Sequence, residues 1–369
     1  MSLNLGIVGL PNVGKSTLFN AITSSPAEAA NYPFCTIDPN VGIVDVPDKR
    51  LYKITEFIKP QKIIPTTVEF VDIAGLVKGA SKGEGLGNKF LANIRQTGAI
   101  VHVVRCFDDD NIVHVDGAVD PERDIATIEM ELAYADLETV QKRKEKIGKM
   151  IRSQDKKISE QGKILSPVLD QLEKTLDDGK PARSLDLGDK EVDAIYDMHL
   201  ITMKKTLFCC NVDEDSIGED NEYVKKVREI AQEQESEVVV ISAQMESEIS
   251  ELETQEEKLE FLQDFGLEES GLDKLIHAGY KMLNLATYFT AGEKEVRAWT
   301  FKAGSTAPQC AGVIHTDFER GFIKAETYHC EDLFAHHTEP AIKEAGKIRM
   351  EGKEYLVCDG DVLHFRFNV

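Results

Sequence analysis

A glycine-rich turn near the beginning of the chain carries the residue types that bind phosphate. Residues 9–17 run Gly-Leu-Pro-Asn-Val-Gly-Lys-Ser-Thr, which completes the pattern G-x-x-x-x-G-K-S. Glycines let backbone N–H groups turn toward an anion, and the N-terminus of a following helix adds its positive end. In such a loop Lys15 reaches the outer phosphates and Ser16 holds Mg²⁺ through its hydroxyl. The pattern therefore predicts a site for a nucleoside triphosphate.

The sequence on either side predicts the elements that such a loop requires. A short apolar strand at residues 3–8 precedes it, and a helical run at residues 17–22 follows it. A chance glycine-rich turn is the alternative interpretation. The complete pattern between a strand and a helix argues strongly against that alternative.

Two further segments predict contacts with Mg²⁺ and with the γ-phosphate. Asp72 follows a predicted strand at 67–71, where its carboxylate orients Mg²⁺, and the N–H of Gly75 meets the γ-phosphate. Thr36 lies in a loop, residues 28–42, that we expect to close over Mg²⁺ as a switch. A plain turn at Asp72 and an ordinary surface threonine at Thr36 are the alternatives. The phosphate loop upstream favours the ligand interpretation for both residues.

The position that orients the attacking water in Ras-like GTPases holds an unusual residue. Those enzymes place a glutamine directly after the glycine equivalent to Gly75, whereas this chain has Leu76, which cannot hydrogen-bond water. The glycine-rich stretch that follows, residues 75–87, is the expected second switch. His114 is a candidate for the missing role, because a histidine accepts a proton near neutral pH. A histidine in a polar loop without any part in the chemistry is an equally good interpretation.

Residues 211–214 predict which base the site accepts. GTPases carry N-K-x-D here, and its aspartate accepts hydrogen bonds from guanine, but this chain has Asn-Val-Asp-Glu. A polar readout discriminates between bases by ~10⁴–10⁵, and its loss removes that discrimination. We therefore expect ATP to replace GTP. The predicted base-side residues are Asn211, the backbone of Val212, Glu214, and, on a second loop, Ser242 and Ala243.

The order of predicted elements indicates the fold class. Strands alternate with helices from residue 1 to about 125, and the pattern resumes with strands at 206–210 and 238–241. The run at 99–104 is nearly all apolar, as a buried parallel strand should be. This alternation implies an α/β fold with a doubly wound parallel sheet, split into residues 1–125 and 201–283.

The intervening residues 126–200 predict a helical insertion. Apolar side chains recur there at three- and four-residue spacing, which is typical of an antiparallel coiled coil. Gly162 is the expected bend between the two helices, and Gly179 the expected end of the second helix. The predicted seam consists of Val140, Ile147, Ile151, Ile158, Leu165, Val168, Leu172 and Leu176.

Charge is unevenly distributed along the chain. The formal net charge is −22, which argues against non-specific nucleic-acid binding over the whole surface. Residues 142–163 nevertheless carry nine basic side chains against three acids, while residues 212–270 carry twenty acids against four bases. The basic stretch is either a solvated helix face or a local contact for RNA phosphate. The acidic stretch is better explained as a solvated surface.

The last part of the chain, residues 284–369, has a different pattern. Strands are predicted at 296–301, 354–357 and 363–367, and one helix at 340–345. These elements indicate a small α+β domain with a mixed sheet.

The cysteine content and the lack of long apolar runs indicate the cellular compartment. An odd number of cysteines, seven, without any C-x-x-C pair favours reduced thiols in the cytosol over a disulfide framework. The N-terminus shows no leader pattern, and no apolar run approaches the ~20 residues that span a bilayer. We therefore expect a cytoplasmic protein without membrane contact.

Taken together, these residues resemble the YchF/Obg-like ATPase family, a branch of the Obg-related translation-factor GTPases. The resemblance covers essentially the whole chain, including the phosphate loop, the segment 72–76, the altered motif at 211–214 and the helical insertion. Segments 299–304 and 311–318 look like the family's TGS domain. The resemblance implies a P-loop NTPase with a Ras-like G domain, an inserted coiled-coil arm and a C-terminal TGS domain with a β-grasp fold.

The resemblance also implies an activity and its residues. The family's properties imply an ATPase that also accepts GTP, needs Mg²⁺ and associates with ribosomes, here through the basic arm and a face of the TGS domain. By position, Ser16 and Thr36 bind Mg²⁺, Val212 touches adenine, and His114 falls where the family has a histidine proposed for hydrolysis. The residues that hold phosphates by position are Asn12, Val13, Gly14, Lys15, Ser16 and Thr17.

Two other functions compete with an ATP-driven switch. In an ordinary Obg-class GTPase, Glu214 would do the work of the aspartate. In a regulatory ribosome-binding protein, hydrolysis would be incidental, and the arm and the C-terminal domain would dock on a partner.

Overall fold

A computed structural model describes residues 4–24, 40–73, 86–109, 111–115 and 117–368, so the predicted ligands Thr36 and Gly75 lie outside the described residues. Elements are numbered in chain order. The strands are β1 (Asn4–Val8), β2 (Val41–Asp45), β3 (Lys62–Ile64), β4 (Thr67–Asp72), β5 (Ala99–Arg105), β6 (Thr206–Asn211), β7 (Glu237–Ile241), β8 (Leu285–Ala291), β9 (Glu295–Lys302), β10 (Phe322–His329), β11 (Arg349–Glu351) and β12 (Asp361–Phe367). The α-helices are α1 (Lys15–Ser24), α2 (Lys49–Ile58), α3 (Leu86–Gln96), α4 (Pro121–Ile151), α5 (Lys156–Asp177), α6 (Asp189–Ile195), α7 (Glu222–Glu233), α8 (Ala243–Glu251), α9 (Gln255–Asp264), α10 (Gly271–Met282), α11 (Ala307–Ile314), α12 (Thr316–Arg320), α13 (Cys330–His336) and α14 (Glu339–Glu344).

These elements form two compact units. Of the described residues, the first unit takes 4–24, 40–42 and those within 69–275, and the second takes 43–68 and 276–368. The second unit therefore contains α2 and β3 in addition to the C-terminal elements.

The first unit is built on a sheet with the strand order β2-β4-β1-β5-β6-β7. β1 pairs in parallel with β4 and β5, and β6 pairs in parallel with β5 and β7. Every residue of β5 is buried, as its apolar sequence predicts for an inner parallel strand. The predicted doubly wound parallel arrangement is confirmed for β4, β1, β5, β6 and β7, whose carboxyl ends meet at one edge. β2 runs antiparallel to β4, because the N–H of Asp72 donates to the carbonyl of Asn40 and the N–H of Val46 donates to that of Thr66.

Two long helices, α4 and α5, form a hairpin in the first unit. The side chain of Asp120 caps α4 by accepting a hydrogen bond from the N–H of Arg123, and Asp155 caps α5 in the same way at Lys157. The predicted apolar seam is buried over most of its length, whereas Ile158 near the tip is 41% exposed. The fully buried members are Val140, Leu165, Val168, Leu172 and Leu176.

The predicted bend at Gly162 is wrong. The chain turns between Arg152 and Asp155, and Gly162 lies inside α5. A Cβ atom at this glycine would come within 3.0 Å of the backbone nitrogen of Ile151. The glycine therefore permits close approach of the two helices rather than a turn. The predicted end of α5 is confirmed, because the helix stops at Asp177 and Gly179 follows with φ of +74°.

The second unit contains a mixed sheet with the strand order β11-β10-β12-β8-β9-β3. β8 with β9, and β10 with β11 and β12, are antiparallel pairs, whereas β12 with β8 and β3 with β9 are parallel. Helices α2, α13 and α14 contribute to the apolar core on one face, and α11 contributes to the core on the other. The predicted strands at 296–301 and 363–367 and the helix at 340–345 correspond to β9, β12 and α14.

The strand predicted at 354–357 is wrong. Leu356 makes only an isolated bridge with Thr306. The carboxylate of Asp361 accepts hydrogen bonds from the hydroxyl of Tyr355 and the N–H of Cys358, at 2.7 and 2.9 Å. These local bonds curl the segment into turns before β12, although its residue types favour a strand.

Within the described part of the chain, no helix combines the length and the apolar character needed to cross a membrane.

The six cysteines among the described residues are all free thiols, and Cys358 alone among them is exposed.

Candidate functional site

The phosphate loop joins β1 to α1 and has a backbone that only certain residues allow. Gly14 has φ of +89°, and a Cβ atom there would overlap the side-chain amide of Asn211. A Cβ atom at Gly9 would come within 2.8 Å of the backbone oxygen of Val103 on β5. Both glycines are therefore required by the close approach of neighbouring strands and loops.

Lys15 and Asp72 come together at the carboxyl ends of the neighbouring strands β1 and β4. The lysine ammonium forms an ion pair with the Oδ1 atom of Asp72, and the lysine is only 8% exposed. The pairing holds the ammonium at the mouth of the loop, where β1 ends and α1 begins. The two residues that the sequence assigned to phosphate and Mg²⁺ are thus adjacent.

Asn211 braces the phosphate loop from the neighbouring strand β6. Its Nδ2 amide donates to the carbonyl of Val13 at 3.0 Å, and its Oδ1 accepts from the N–H of Ala243 at 2.9 Å. Ser242 caps α8 by accepting a hydrogen bond from the N–H of Met245. The predicted base-side residues therefore connect three loops at one edge of the sheet.

The side chains of residues 212–214 differ in burial and in hydrogen bonding. Val212 is 2% exposed and packs in the core with β5 and α7, and its N–H donates to the carbonyl of Ile241. Asp213 accepts a hydrogen bond from the N–H of Ser216 at 2.8 Å. The Oε1 atom of Glu214 is buried and has no hydrogen-bond partner among the described residues. Glu214 thus offers an acceptor without a described partner, and Asp213 keeps a second carboxylate oxygen that can also accept.

These residues surround an open cleft of about 1110 Å³, which is large enough for a nucleotide. The phosphate loop supplies one end, and the loops after β6 and β7 supply the base side. A third wall comes from the segment after β5, which the sequence analysis did not identify. The residues that line the cleft are Leu10, Pro11, Asn12, Gly14, Lys15, Ser16, Thr17, Phe107, Asp108, Asp109, Ile112, Asn211, Val212, Asp213, Glu214, Asp215, Ser242, Ala243, Gln244, Ser247 and Glu248.

The donors near Lys15 suit a hard divalent cation. The hydroxyl of Ser16 and the carboxylate of Asp72 are oxygen ligands, which Mg²⁺ prefers. Within the described residues, no group of three or more His, Cys, Asp or Glu side chains forms a metal cage. This combination fits an ion that is held by one or two protein oxygens together with substrate phosphates.

His114 does not line the cleft in this structure. It is 5% exposed, and its Nε2 atom lies 2.9 Å from Oδ2 of Asp124. Arg123 donates to Oδ1 of the same aspartate and to the carbonyl of Ala118. The histidine thus fastens the segment after β5 to the first turn of α4. Its part in hydrolysis stays a prediction.

The wall after β5 is organised by Arg105, a residue that sequence reasoning missed. Arg105 ends an otherwise apolar strand, and the only sequence signal was a charge at the end of a buried run. Phe107, Asp109 and Ile112 in the following segment line the cleft.

Glu246 on α8 has a perturbed titration. It is buried and accepts a hydrogen bond from the N–H of Gly271 at 2.7 Å, at the N-terminus of α10. Burial raises the pKa of Glu246 from its ordinary value of 4.5 to about 7, although the hydrogen bonds from the backbone of Gly271 and Leu272 oppose the shift.

Comparisons with known proteins agree with this geometry. A family model described as a 50S ribosome-binding GTPase matches residues 4–147, and a model of the YchF GTPase C-terminal region, described as a protein of unknown function, matches residues 285–368. Curated relatives called ribosome-binding ATPase YchF include one from Bacillus subtilis (strain 168), 58% identical, and one from Escherichia coli O157:H7, 55% identical; each comparison covers 100% of both chains.

A solved structure gives the same result in three dimensions. The structure of the Schizosaccharomyces pombe YchF GTPase superimposes with a TM-score of 0.88 at 41% identity, covering 99% of this chain and 97% of that one. The predicted P-loop NTPase fold is confirmed. With full-length relatives well above 30% identity, this chain belongs to the YchF family.

Proposed function

We propose that the protein is a cytoplasmic, Mg²⁺-dependent ATPase that works as a nucleotide switch on ribosomes. The observation that carries the proposal is the assembly of Lys15, Asp72 and Asn211 around one cleft at the carboxyl edge of a parallel sheet. Curated relatives of the same length are called ribosome-binding ATPases, which supports both the ATPase activity and the ribosome association that we propose.

Catalysis by such a site consists of positioning and electrostatics. Lys15 places a positive charge beside the outer phosphates, and the N-terminus of α1 directs backbone N–H groups at them. Ser16 and Asp72 are the described residues that would hold Mg²⁺, and the bound ion supplies charge neutralisation at the β- and γ-phosphates. Thr36 and Gly75 remain proposed ligands from the sequence.

The base preference follows from Glu214. Its Oε1 atom is an acceptor without a described partner, whereas Asp213 is engaged with the backbone of Ser216. This oxygen can accept a hydrogen bond from the exocyclic amine of adenine. A GTPase aspartate binds two donors of guanine, and the longer glutamate does not reproduce that geometry. ATP is therefore the preferred nucleotide, and GTP the weaker one.

Hydrolysis without a partner should be slow. Leu76 cannot orient water, and His114 is engaged with Asp124 in this structure. By comparison with unstimulated GTPases, we expect about 10⁻⁴ to 10⁻² turnovers per second. A partner that moves the segment around His114 would be needed for faster turnover.

The ribosome contact is proposed at the tip of the α4–α5 hairpin, with a face of the second unit. Midway along the hairpin the cations are neutralised: Lys144 pairs with Asp170 and Glu173, and Arg143 pairs with Asp197. Toward the tip, none of five lysines makes an ion pair with another described residue, which leaves them available to RNA phosphates. These five are Lys146, Lys149, Lys156, Lys157 and Lys163.

Separate titrations of labelled ATP and GTP with Mg²⁺, followed by a phosphate-release assay, test the proposal. Tighter binding and turnover of ATP are expected. Much tighter binding of GTP would favour an Obg-class GTPase. Ribosome binding that is the same with ATP, with ADP and without nucleotide would favour a regulatory protein whose hydrolysis is incidental.

A further inference from the structure

We propose that Arg105 is a positioning residue for nucleotide binding, because its guanidinium binds the described residues of the segment after β5, 106–109 and 111–113, which form one wall of the cleft. This inference rests on the proposed function of that cleft. It assigns a role to a buried cation that lies outside the phosphate loop and the base motif.

The hydrogen bonds of Arg105 all go to a single short segment. Nη1 donates to the carbonyl of Ile112 at 2.9 Å, Nη2 to that of Asp109 at 3.3 Å, and Nε to that of Phe107 at 3.1 Å. The centre of the guanidinium also lies 4.7 Å from the ring centroid of Phe107. Arg105 is only 2% exposed, so these carbonyls replace the water that the cation has lost. The planar fork therefore fixes the shape of the segment.

This segment belongs to the cleft. Phe107, Asp109 and Ile112, whose carbonyls Arg105 binds, all line the cleft. The next residue, Val113, accepts a hydrogen bond from the Nδ2 amide of Asn12 in the phosphate loop at 3.0 Å. A change in the shape of the segment would therefore alter a cleft wall and also one support of the phosphate loop.

Other contacts hold the start of the segment independently of Arg105. The Nδ2 amide of Asn221 donates to the carbonyl of Cys106, and the hydroxyl of Tyr223 donates to the carboxylate of Asp108, both at 2.8 Å. Because these contacts from α7 remain when Arg105 is replaced, we expect the altered segment to keep its attachment and lose its fixed shape.

The wall shares the cleft with the base-side residues Asn211 and Glu214. A nucleotide would meet the wall with its nucleoside rather than with its γ-phosphate, which belongs at Lys15. The loss of Arg105 should therefore weaken ATP and ADP by the same factor. At saturating ATP, turnover should change much less than affinity, because Lys15 is held by Asp72 and not by this segment.

The test compares the unmodified full-length chain with Arg105→Met, Arg105→Lys and a control, Arg183→Met. Arg183 is also largely buried, and it donates to Glu129 and Gln234, neither of which lines the cleft. Labelled ATP and ADP are titrated with Mg²⁺, the melting temperature is measured without nucleotide, and KM and kcat are measured for ATP.

For Arg105→Met we expect the Kd of ATP and the Kd of ADP to rise together by about tenfold or more. KM should rise in parallel while kcat stays within about twofold. Arg105→Lys keeps the positive charge but not the planar guanidinium. Its Kd for each nucleotide should therefore lie between that of the unmodified chain and that of Arg105→Met. Arg183→Met should lower the melting temperature and leave both Kd values unchanged.

Unchanged Kd values in Arg105→Met, with a melting temperature lowered as in Arg183→Met, would reduce Arg105 to a stabilising residue and overturn the inference. If Arg105→Met does not fold, Arg105→Lys decides the question, and wild-type affinity in that variant overturns the inference. Failure of the unmodified chain to bind ATP would instead overturn the proposed function.

Discussion

The side-chain amide of Asn211 donates to the backbone carbonyl of Val13 over 3.0 Å and so ties the loop after β6 to the phosphate loop. The same side chain also accepts from the N–H of Ala243 before α8. One asparagine therefore connects the end of the cleft proposed for phosphate with the side proposed for the base. A Cβ atom at Gly14 would overlap this amide, so a side chain there would displace Asn211.

Replacing Gly14 by alanine should abolish tight nucleotide binding. The new Cβ would force the Asn211 amide away while adopting an unfavourable φ of +89°. A matched control is Gly179→Ala, which has φ of +74° but no atom within 4 Å of the new Cβ. We expect the control to lose about 1 kcal/mol of stability and no ATP affinity. Equal ATP affinities of the two variants would contradict this account of the loop.

The raised pKa of Glu246 predicts that the free energy of unfolding depends on pH. Because its pKa is about 7 in the folded chain and 4.5 ordinarily, the folded state binds more protons between these values. Its contribution to stability is therefore greatest below pH 4.5 and declines as the pH rises to 7. Glu246→Gln keeps an acceptor for the N–H of Gly271 and removes the titration.

The check is denaturant unfolding of both proteins at several pH values. Relative to the unmodified chain, Glu246→Gln should gain stability as the pH rises, by at most about 3 kcal/mol. Parallel stability curves for the two proteins would show that Glu246 titrates normally.

The hairpin of α4 and α5 should depend on its buried seam. Leu172 is fully buried, and Leu172→Ala should cost about 2–5 kcal/mol, measured by chemical unfolding. Ile158, 41% exposed, is the control, and Ile158→Ala should change stability by no more than about 0.5 kcal/mol. Similar losses at both positions would mean that the tip is packed as tightly as the base.

The charges at the hairpin tip predict a salt-dependent ribosome contact. Reversing Lys149, Lys156 and Lys157 to Glu should weaken co-sedimentation with ribosomes and flatten its dependence on salt. The matched control reverses three paired cations, Lys142, Arg143 and Lys144, and should have a smaller effect, since these already face acids. If the two triple variants bind ribosomes equally well, the tip is not the contact.

The sequence predicted the features that are determined by residues close to one another in the chain. The phosphate loop and the buried strand β5 follow from residue types and their spacing. The ion pair of Lys15 with Asp72 was not predicted, because the sequence assigned the two residues to phosphate and to Mg²⁺. Gly162 was misassigned because a glycine at a turn and a glycine at a close helix contact look alike in sequence. The role of Arg105 depends on three carbonyls that become neighbours only when the chain folds.

The central claim is that a triphosphate binds at the loop around Lys15, and titration of Lys15→Ala with labelled ATP and Mg²⁺ tests it most directly. Melting without nucleotide first establishes that the variant is folded. The account predicts tight ATP binding by the unmodified chain and no measurable binding by Lys15→Ala. An unchanged ATP affinity in the folded variant would contradict it.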